Sequence, residues 1–228
     1  MPDSSTAPES LTPPLAKPED AESGFLSRPG EMAEALLRMA REDAVSLPLL
    51  GAPECEALVA AAGRLTYRRA KPVIGEGAKA VHQDFDLCYS LQPGSPFHGV
   101  AARLERLLAQ ALALTVPPVF AAPPPMNDLI VQRYAAGSGG ITPHRDHLRY
   151  EDVVVIIPLS GAARFFLCAA RDGSAPREIP APVGAAVLMR APGFAGSRAR
   201  PFHYVTDITA ERLSFGLRHD VRDAPPPN

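Results

Sequence analysis

The residues best suited to chemistry fall in one short run, Thr142-Pro143-His144-Arg145-Asp146. Side chains two apart on a strand share a face, because the pleat repeats every two residues. A strand here would aim an imidazole and a carboxylate at one cation. A third ligand must come from elsewhere, and His203 sits in a run with strand character, Phe202-His-Tyr-Val-Thr206. Two histidines and one carboxylate form the facial set that leaves positions open on non-haem iron for a co-substrate and dioxygen. By itself a His-x-Asp pair is a common coincidence. If strand geometry breaks at 144–147, His147 becomes a rival ligand to His144. Otherwise His147 and His219 face away, and His82 and His98 are not assigned to the metal.

A second pattern lies near the end of the chain. Arg212-Leu-Ser214-Phe-Gly216-Leu-Arg218 alternates strictly. Leu213, Phe215 and Leu217 make an apolar face, while Arg212, Ser214, Gly216 and Arg218 make the other. Two arginines aimed inward are costly to bury without anions. A dicarboxylate bound at the metal would supply one partner. The other arginine could pair with Asp146 or with the carboxylate end at the metal. A solvated strand face is the alternative reading. Gln132 and Tyr134, again two apart, add an amide and a hydroxyl.

These residues need strands to hold them, and the back half of the chain is read as β. Candidate strands are 128–134, 152–158, 163–168, 185–190, 202–206 and 211–219. They are rich in Val, Ile, Phe and Tyr and bounded by turn formers such as Gly137-Ser-Gly-Gly140, Asp172-Gly173 and Pro192-Gly193. The front half is read as helical. Residues 30–42 place Met32, Ala35, Leu36 and Met39 at helical spacing, and 54–62 follow Pro53. Ser95-Pro96 reads as an N-cap and first residue. The helix after it gathers Val100, Ala101, Leu104, Leu107, Leu108 and Ala111 on one packing face. Residues 64–92 read as short strands and loops. Helices first and short strands after predict an α+β chain built on a β-sandwich or jelly roll.

Composition narrows the function classes. The chain has 228 residues, 46% of them hydrophobic, enough for one substantial core. Six of its 26 prolines lie in the first 29 residues and three close the chain, so both ends are expected to be poorly ordered. Net charge is −2. Residues 1–24 carry five carboxylates against Lys17, or −4, which leaves +2 for the rest. That is no footprint for strong nucleic-acid binding. One local exception is Arg64-Leu-Thr-Tyr-Arg-Arg-Ala-Lys71, either a solvated edge or a phosphate-contacting patch. Cys55, Cys88 and Cys168 form no CxxC pair or zinc pattern, and suggest free thiols in a reducing compartment. No run resembles a signal peptide or approaches the ~20 apolar residues that span a bilayer. A soluble cytoplasmic protein is expected. The sequence carries no information on oligomeric state.

Order and spacing along residues 126–219 make a resemblance specific. Leu129-Ile-Val-Gln-Arg-Tyr134, the Gly137/Gly139/Gly140 loop, His144-Arg-Asp146, Gly184 before a strand, then His203 and Arg212–Arg218 together resemble the AlkB-like branch of the Fe(II)/2-oxoglutarate dioxygenases. The resemblance implies a double-stranded β-helix (jelly-roll) core at 126–220. Residues 25–125 would be a helical N-terminal part and substrate lid packed on it, and 1–24 and 221–228 tails. It implies Fe(II) on His144, Asp146 and His203, with 2-oxoglutarate and dioxygen as co-substrates. Arg212 would grip the distal carboxylate of 2-oxoglutarate, Tyr134 and Gln132 would help hold it, and Arg218 would support the metal end. Ser214 matches the pattern, whereas Gln132 stands where Asn is usual and Gly216 where Thr is. The implied reaction hydroxylates a C–H bond, and an N-methyl group so oxidised leaves as formaldehyde. Near-neutral charge favours a small molecule or amino-acid-like substrate. Dealkylation of nucleic acid is the alternative, although the chain has no Trp and only Tyr67, Phe85 and Tyr89 to stack on a flipped base. A non-catalytic jelly-roll binding module is the third reading.

Overall fold

The structure, a computed structural model, describes residues 24–222. The expectations for the tails, on 1–23 and 223–228, lie outside the described residues. Helices α1 (Pro29–Glu42), α2 (Ala52–Ala62) and α3 (Pro96–Leu112) form one layer. Each has proline in its first turn, where a missing N–H costs nothing. The anticipated face of α3 is buried throughout, together with Phe97.

Among the described residues, thirteen strands build two antiparallel sheets below the helices. In chain order they are β1 (Ala44–Pro48), β2 (Arg68–Arg69), β3 (Val73–Ile74), β4 (Val81–Asp84), β5 (Asp86–Cys88), β6 (Asp128–Tyr134), β7 (Gly140–His144), β8 (Tyr150–Ser160), β9 (Arg164–Cys168), β10 (Arg177–Ile179), β11 (Ala185–Arg190), β12 (Phe202–Thr206) and β13 (Arg212–Asp220). The major sheet runs β1-β11-β8-β13-β6-β5-β2 and the minor sheet β10-β9-β12-β7-β4-β3. Strands β6–β13 contribute four to each sheet, which is the two-sheet arrangement of a jelly roll. The α+β expectation is therefore met, with an addition. The front half extends both sheets, and β1 joins the major sheet beside β11 in a register from Ala44↔Met189 to Pro48↔Ala185. Its few apolar residues, Ala-Val-Ser-Leu-Pro, gave no usable alternation.

The major sheet is buried on both faces, so two cores form. Toward the helices lie Leu129, Val131, Val155, Leu213, Phe215 and Leu217. Phe215 meets Phe97 of α3 edge-on at 5.0 Å, which locks the helix layer to β13. Between the sheets lie Ile130, Tyr134, Val154, Phe165, Val187 and Val205. Strict alternation thus sends odd residues of β13 to the helices and even ones between the sheets.

The minor sheet must be held close enough for β7 and β12 to face each other. Gly140 permits this. Its φ is +72°, and a Cβ there would lie 2.0 Å from the Val205 carbonyl oxygen. The Ser138 hydroxyl donates to the Asp84 carbonyl and the Gly139 N–H donates to the Asp84 carboxylate at 2.7 Å, which pins this loop to β4. Gly140→Ala should therefore destabilise by more than about 3 kcal/mol, because backbone strain and a steric clash add. Gly137→Ala, at similar φ but with open space around it, should cost about 1 kcal/mol. Urea denaturation of the two variants separates clash from strain.

Candidate metal centre

Strands β7 and β12 pair so that His144 and His203 are directly opposite. Their ring centroids are 4.2 Å apart, and Phe165 of β9 stacks on His203 at 5.7 Å. Asp146 completes the cluster: one ligand atom from each of the three residues lies within 4.8 Å of the others, and His203 Nε2 is 3.8 Å from Asp146 Oδ2. One expectation needs correction. His144 and Asp146 do not share a strand face, because β7 ends at His144 and Asp146 lies in the loop that follows. The loop turns back and brings the carboxylate to the imidazoles. The break does not promote His147, which stays outside the cluster. His219 bonds Asp152 at 2.8 Å and His98 lies 3.0 Å from the Ser95 hydroxyl.

The environment suits a divalent cation. His144 Nδ1 lies 3.0 Å from the Thr142 carbonyl oxygen, and His203 Nδ1 lies 3.5 Å from that of Pro201. A carbonyl only accepts, so each Nδ1 carries the proton and each Nε2 keeps a lone pair for metal. Burial, and then the neighbouring His203, pushes the His144 pKa down to about 3. Burial also lowers His203, against the attraction of Asp146. Burial opposes the Asp146 charge, yet His203, Arg218, His144 and Arg200 together hold its carboxyl below the usual range. Two neutral imidazoles and one carboxylate are the protonation states a metal requires.

A cavity between the sheets runs from this cluster along β6 and β13. Their register sets rungs Arg212↔Tyr134, Ser214↔Gln132, Gly216↔Ile130 and Arg218↔Asp128. All of these except Asp128 and Ile130 line the cavity with His144, Asp146 and His203. Arg212 is 3% exposed and its guanidinium lies 5.2 Å from the centroid of the Tyr134 ring, yet it has no ion pair among the described residues. Burial lowers its pKa. The Ser214 hydroxyl is buried without a hydrogen-bond partner among the described residues. A buried cation lacking a counter-ion, beside an unsatisfied hydroxyl, is a receptor for an anion. Gly216 lets Ile130 pack against β13: a Cβ there would meet Ile130 Cγ2 at 2.7 Å, so Ile130 already occupies the room a side chain would take.

Arg218 has a partner that the sequence did not suggest. Its ion pair is with buried Asp128, at 3.5 Å, while Asp146 acts on it only through its longer-range charge. Burial opposes its charge, and Tyr150, Tyr89, Asp128 and Asp146 outweigh that and raise its pKa. Asp128 was missed from sequence, although it shares the even face of β6 with Ile130, Gln132 and Tyr134. The basic segment at 64–71 is partly neutralised, since Arg69 pairs with Asp84 and Asp86. Of the three aromatic residues considered for stacking, Phe85 is core against Tyr134 at 5.0 Å and Tyr67 stacks under Arg133. Phe85 and Tyr89 both line a second, outer cavity, which shares His144, Asp146, Gln132, Ile141 and Arg218 with the inner one.

No protein-family model matches the chain, and no curated protein matches it by sequence. Solved structures do match. One is an oxidoreductase of the 2OG-Fe(II) oxygenase family from Burkholderia pseudomallei, at TM-score 0.56 and 16% identity, covering 85% of this chain and 92% of that one. Another is a prolyl-4-hydroxylase from Pseudomonas putida, at TM-score 0.56 and 18% identity, covering 83% and 98%. A third is a prolyl hydroxylase from Trichoplax adhaerens in complex with a hypoxia inducible factor peptide fragment, at TM-score 0.56 and 10% identity, covering 84% and 90%. The chain has the fold of these proteins.

Two outcomes follow from the geometry. His144→Ala, Asp146→Ala and His203→Ala should each weaken Mn(II) binding by more than about 100-fold, beyond the effect typical of groups that only support a ligand. His147→Ala should retain the affinity, as isothermal titration would read. Protonation gives the second outcome. The unfolded chain takes up imidazole protons near pH 6.5, whereas His144 stays neutral in the fold down to about 3. The metal-free protein therefore loses stability as pH falls through this window. Urea midpoints between about pH 7 and about pH 5 should drop less in His144→Ala.

Proposed function

We propose that this chain is an Fe(II)- and 2-oxoglutarate-dependent dioxygenase acting on a C–H bond of a small molecule or amino-acid-like substrate. The observation that carries this reading is Arg212. It is a buried guanidinium without an ion pair among the described residues, in the same cavity as a two-histidine, one-carboxylate cluster. A dicarboxylate satisfies both ends of that cavity at once. One carboxylate answers Arg212 and Ser214, with the Tyr134 hydroxyl and the Gln132 amide at its side, and the other end reaches the metal held by His144, Asp146 and His203.

Iron held by His144, Asp146 and His203, with 2-oxoglutarate and dioxygen, would supply an oxidant, with conversion of the keto acid to succinate and CO2 and insertion of one oxygen atom into the substrate C–H bond. The chain's own residues position and protect. His144 and His203 present fixed Nε2 lone pairs, and Asp146 supplies the negative charge. Arg218, anchored by Asp128, favours the ionised Asp146. Phe165, Ile156 and Val205 wall the inner cavity and exclude water from the reacting centre.

Fold likeness to prolyl hydroxylases supports an amino-acid-like substrate, where the sequence suggested the AlkB-like branch. Nucleic-acid dealkylation gains little from the site, because Arg69 of the basic segment is paired with Asp84 and Asp86 and Tyr67 stacks under Arg133. The non-catalytic reading leaves the buried, unpaired Arg212 unexplained.

Anaerobic addition of Fe(II) and 2-oxoglutarate should produce a metal-to-ligand charge-transfer band. Arg212→Met should raise the 2-oxoglutarate needed for half its amplitude by about 100-fold, the scale of truncating one partner of a buried charge pair. A folded wild-type protein that binds Fe(II) but gives no band contradicts the proposal.

A further inference from the structure

The outer cavity shows what kind of substrate this centre would meet. It encloses about 410 Å³, in the range of small-molecule sites. Its walls are largely apolar, with Val81, Leu87, Ile130 and Ile141 inside and half-exposed Ile74 and Leu148 at the rim. Its charges are unbalanced. Arg145 and Arg200 line it beside Arg218, and Asp146 is the one carboxylate in its wall among the described residues. Arg218 is already paired with Asp128, and the Asp146 carboxylate faces His203.

Arg145 and Arg200 are also held in place. The Arg145 guanidinium stacks on Phe202 at 4.1 Å, and that of Arg200 donates to the Asp146 backbone carbonyl oxygen. Neither has an ion pair among the described residues, and the two are close enough to repel each other. Stacking and the carbonyl bond orient the two cations without neutralising them. Both are one to three residues from a metal ligand, so their distance from the metal is set by the loops that carry the ligands.

We infer that the outer cavity binds a small organic acid, with its carboxylate on Arg145 and Arg200 and its apolar body along Val81, Leu87 and Ile141 toward the metal. The inference rests on the oxygenase reading, for which it supplies the substrate class. A planar carboxylate matches guanidinium geometry and receives charge-assisted hydrogen bonds. The apolar walls favour a hydrocarbon chain or ring over a sugar phosphate. With the acid group fixed at the mouth, a C–H bond further along the body lies at the metal.

The probes are octanoate and octanamide, equal in length and differing in charge. Binding is followed by anaerobic titration calorimetry with Mn(II) and saturating 2-oxoglutarate present, so that the inner site is filled. Octanoate should bind at least about 10-fold tighter than octanamide, the discrimination expected when a bound group is charged. Arg145→Gln and Arg200→Gln should each reduce that ratio toward one, and Arg145→Lys should keep part of it. Because the ratio is taken within each variant, a general loss of folding or metal moves both probes together and leaves it unchanged. A wild-type ratio near one overturns the inference, as does a ratio that survives both glutamine variants. Displacement of octanoate by lower concentrations of an alkylated oligonucleotide, weakening steeply with salt, would assign the arginines to phosphate and also overturn it. The charge-transfer band of the wild-type protein is scored separately. If the band forms while octanoate shows no preference, the oxygenase reading survives and the organic-acid inference fails.

Discussion

Strand β13 is buried on both faces, and most of the molecule depends on that constraint. Its odd residues, Leu213, Phe215 and Leu217, are claimed by the helix layer, so its even residues must point between the sheets. A one-residue slip would send the arginines into the helix core and the leucines into the site, and both changes would be costly. Register is therefore enforced by the hydrophobic face, and the charged face inherits its precision. Arg212 is held buried beside Tyr134 by the packing of Phe215 on Phe97, a contact with no chemical role of its own.

The minor sheet supplies the other half of the site under a different constraint. Two strands place His144 opposite His203, and the close approach of Gly140 to Val205 sets how near they come. Backbone carbonyls at Thr142 and Pro201 accept hydrogen bonds from the Nδ1–H groups, so the tautomer is decided by main chain rather than by an acidic side chain. That leaves Asp146 as the single negative charge at the cluster. Three arginines, at 145, 200 and 218, line the outer cavity around the ligand positions, and among the described residues Arg218 has an ion pair, with Asp128, while Arg145 and Arg200 have none.

The front half, which in sequence looked least connected to the chemistry, turns out to support it. Asp84 of β4 clamps the glycine loop that leads into β7, and Arg69 holds Asp84 in turn. Strands β4 and β5 widen both sheets and wall the outer cavity with Val81 and Leu87. A patch that seemed suited to phosphate is in part a brace for the ligand strand.

What the sequence determined by itself was whatever is written in local periodicity. The strands at 128–134, 185–190 and 202–206, the buried face of α3, and the two faces of β13 could all be read from residue type and spacing, because each is a repeat of two or 3.6 residues. The order of His144, Asp146, His203, Arg212 and Arg218 carried the resemblance that implied a common site, which no periodicity shows. What only the tertiary structure decided was partnership. β1 carries too few residues to show a period, and its pairing with β11 is a contact between residues more than 130 positions apart. The place of Asp146 beyond the end of β7, the capture of Arg218 by Asp128, and the meeting of Arg145 with Arg200 at one cavity mouth depend on loops and on chain crossing between sheets. Periodicity reports which face a side chain takes. It carries no information on which distant residue will be found there, because that is settled by how the two sheets close on each other.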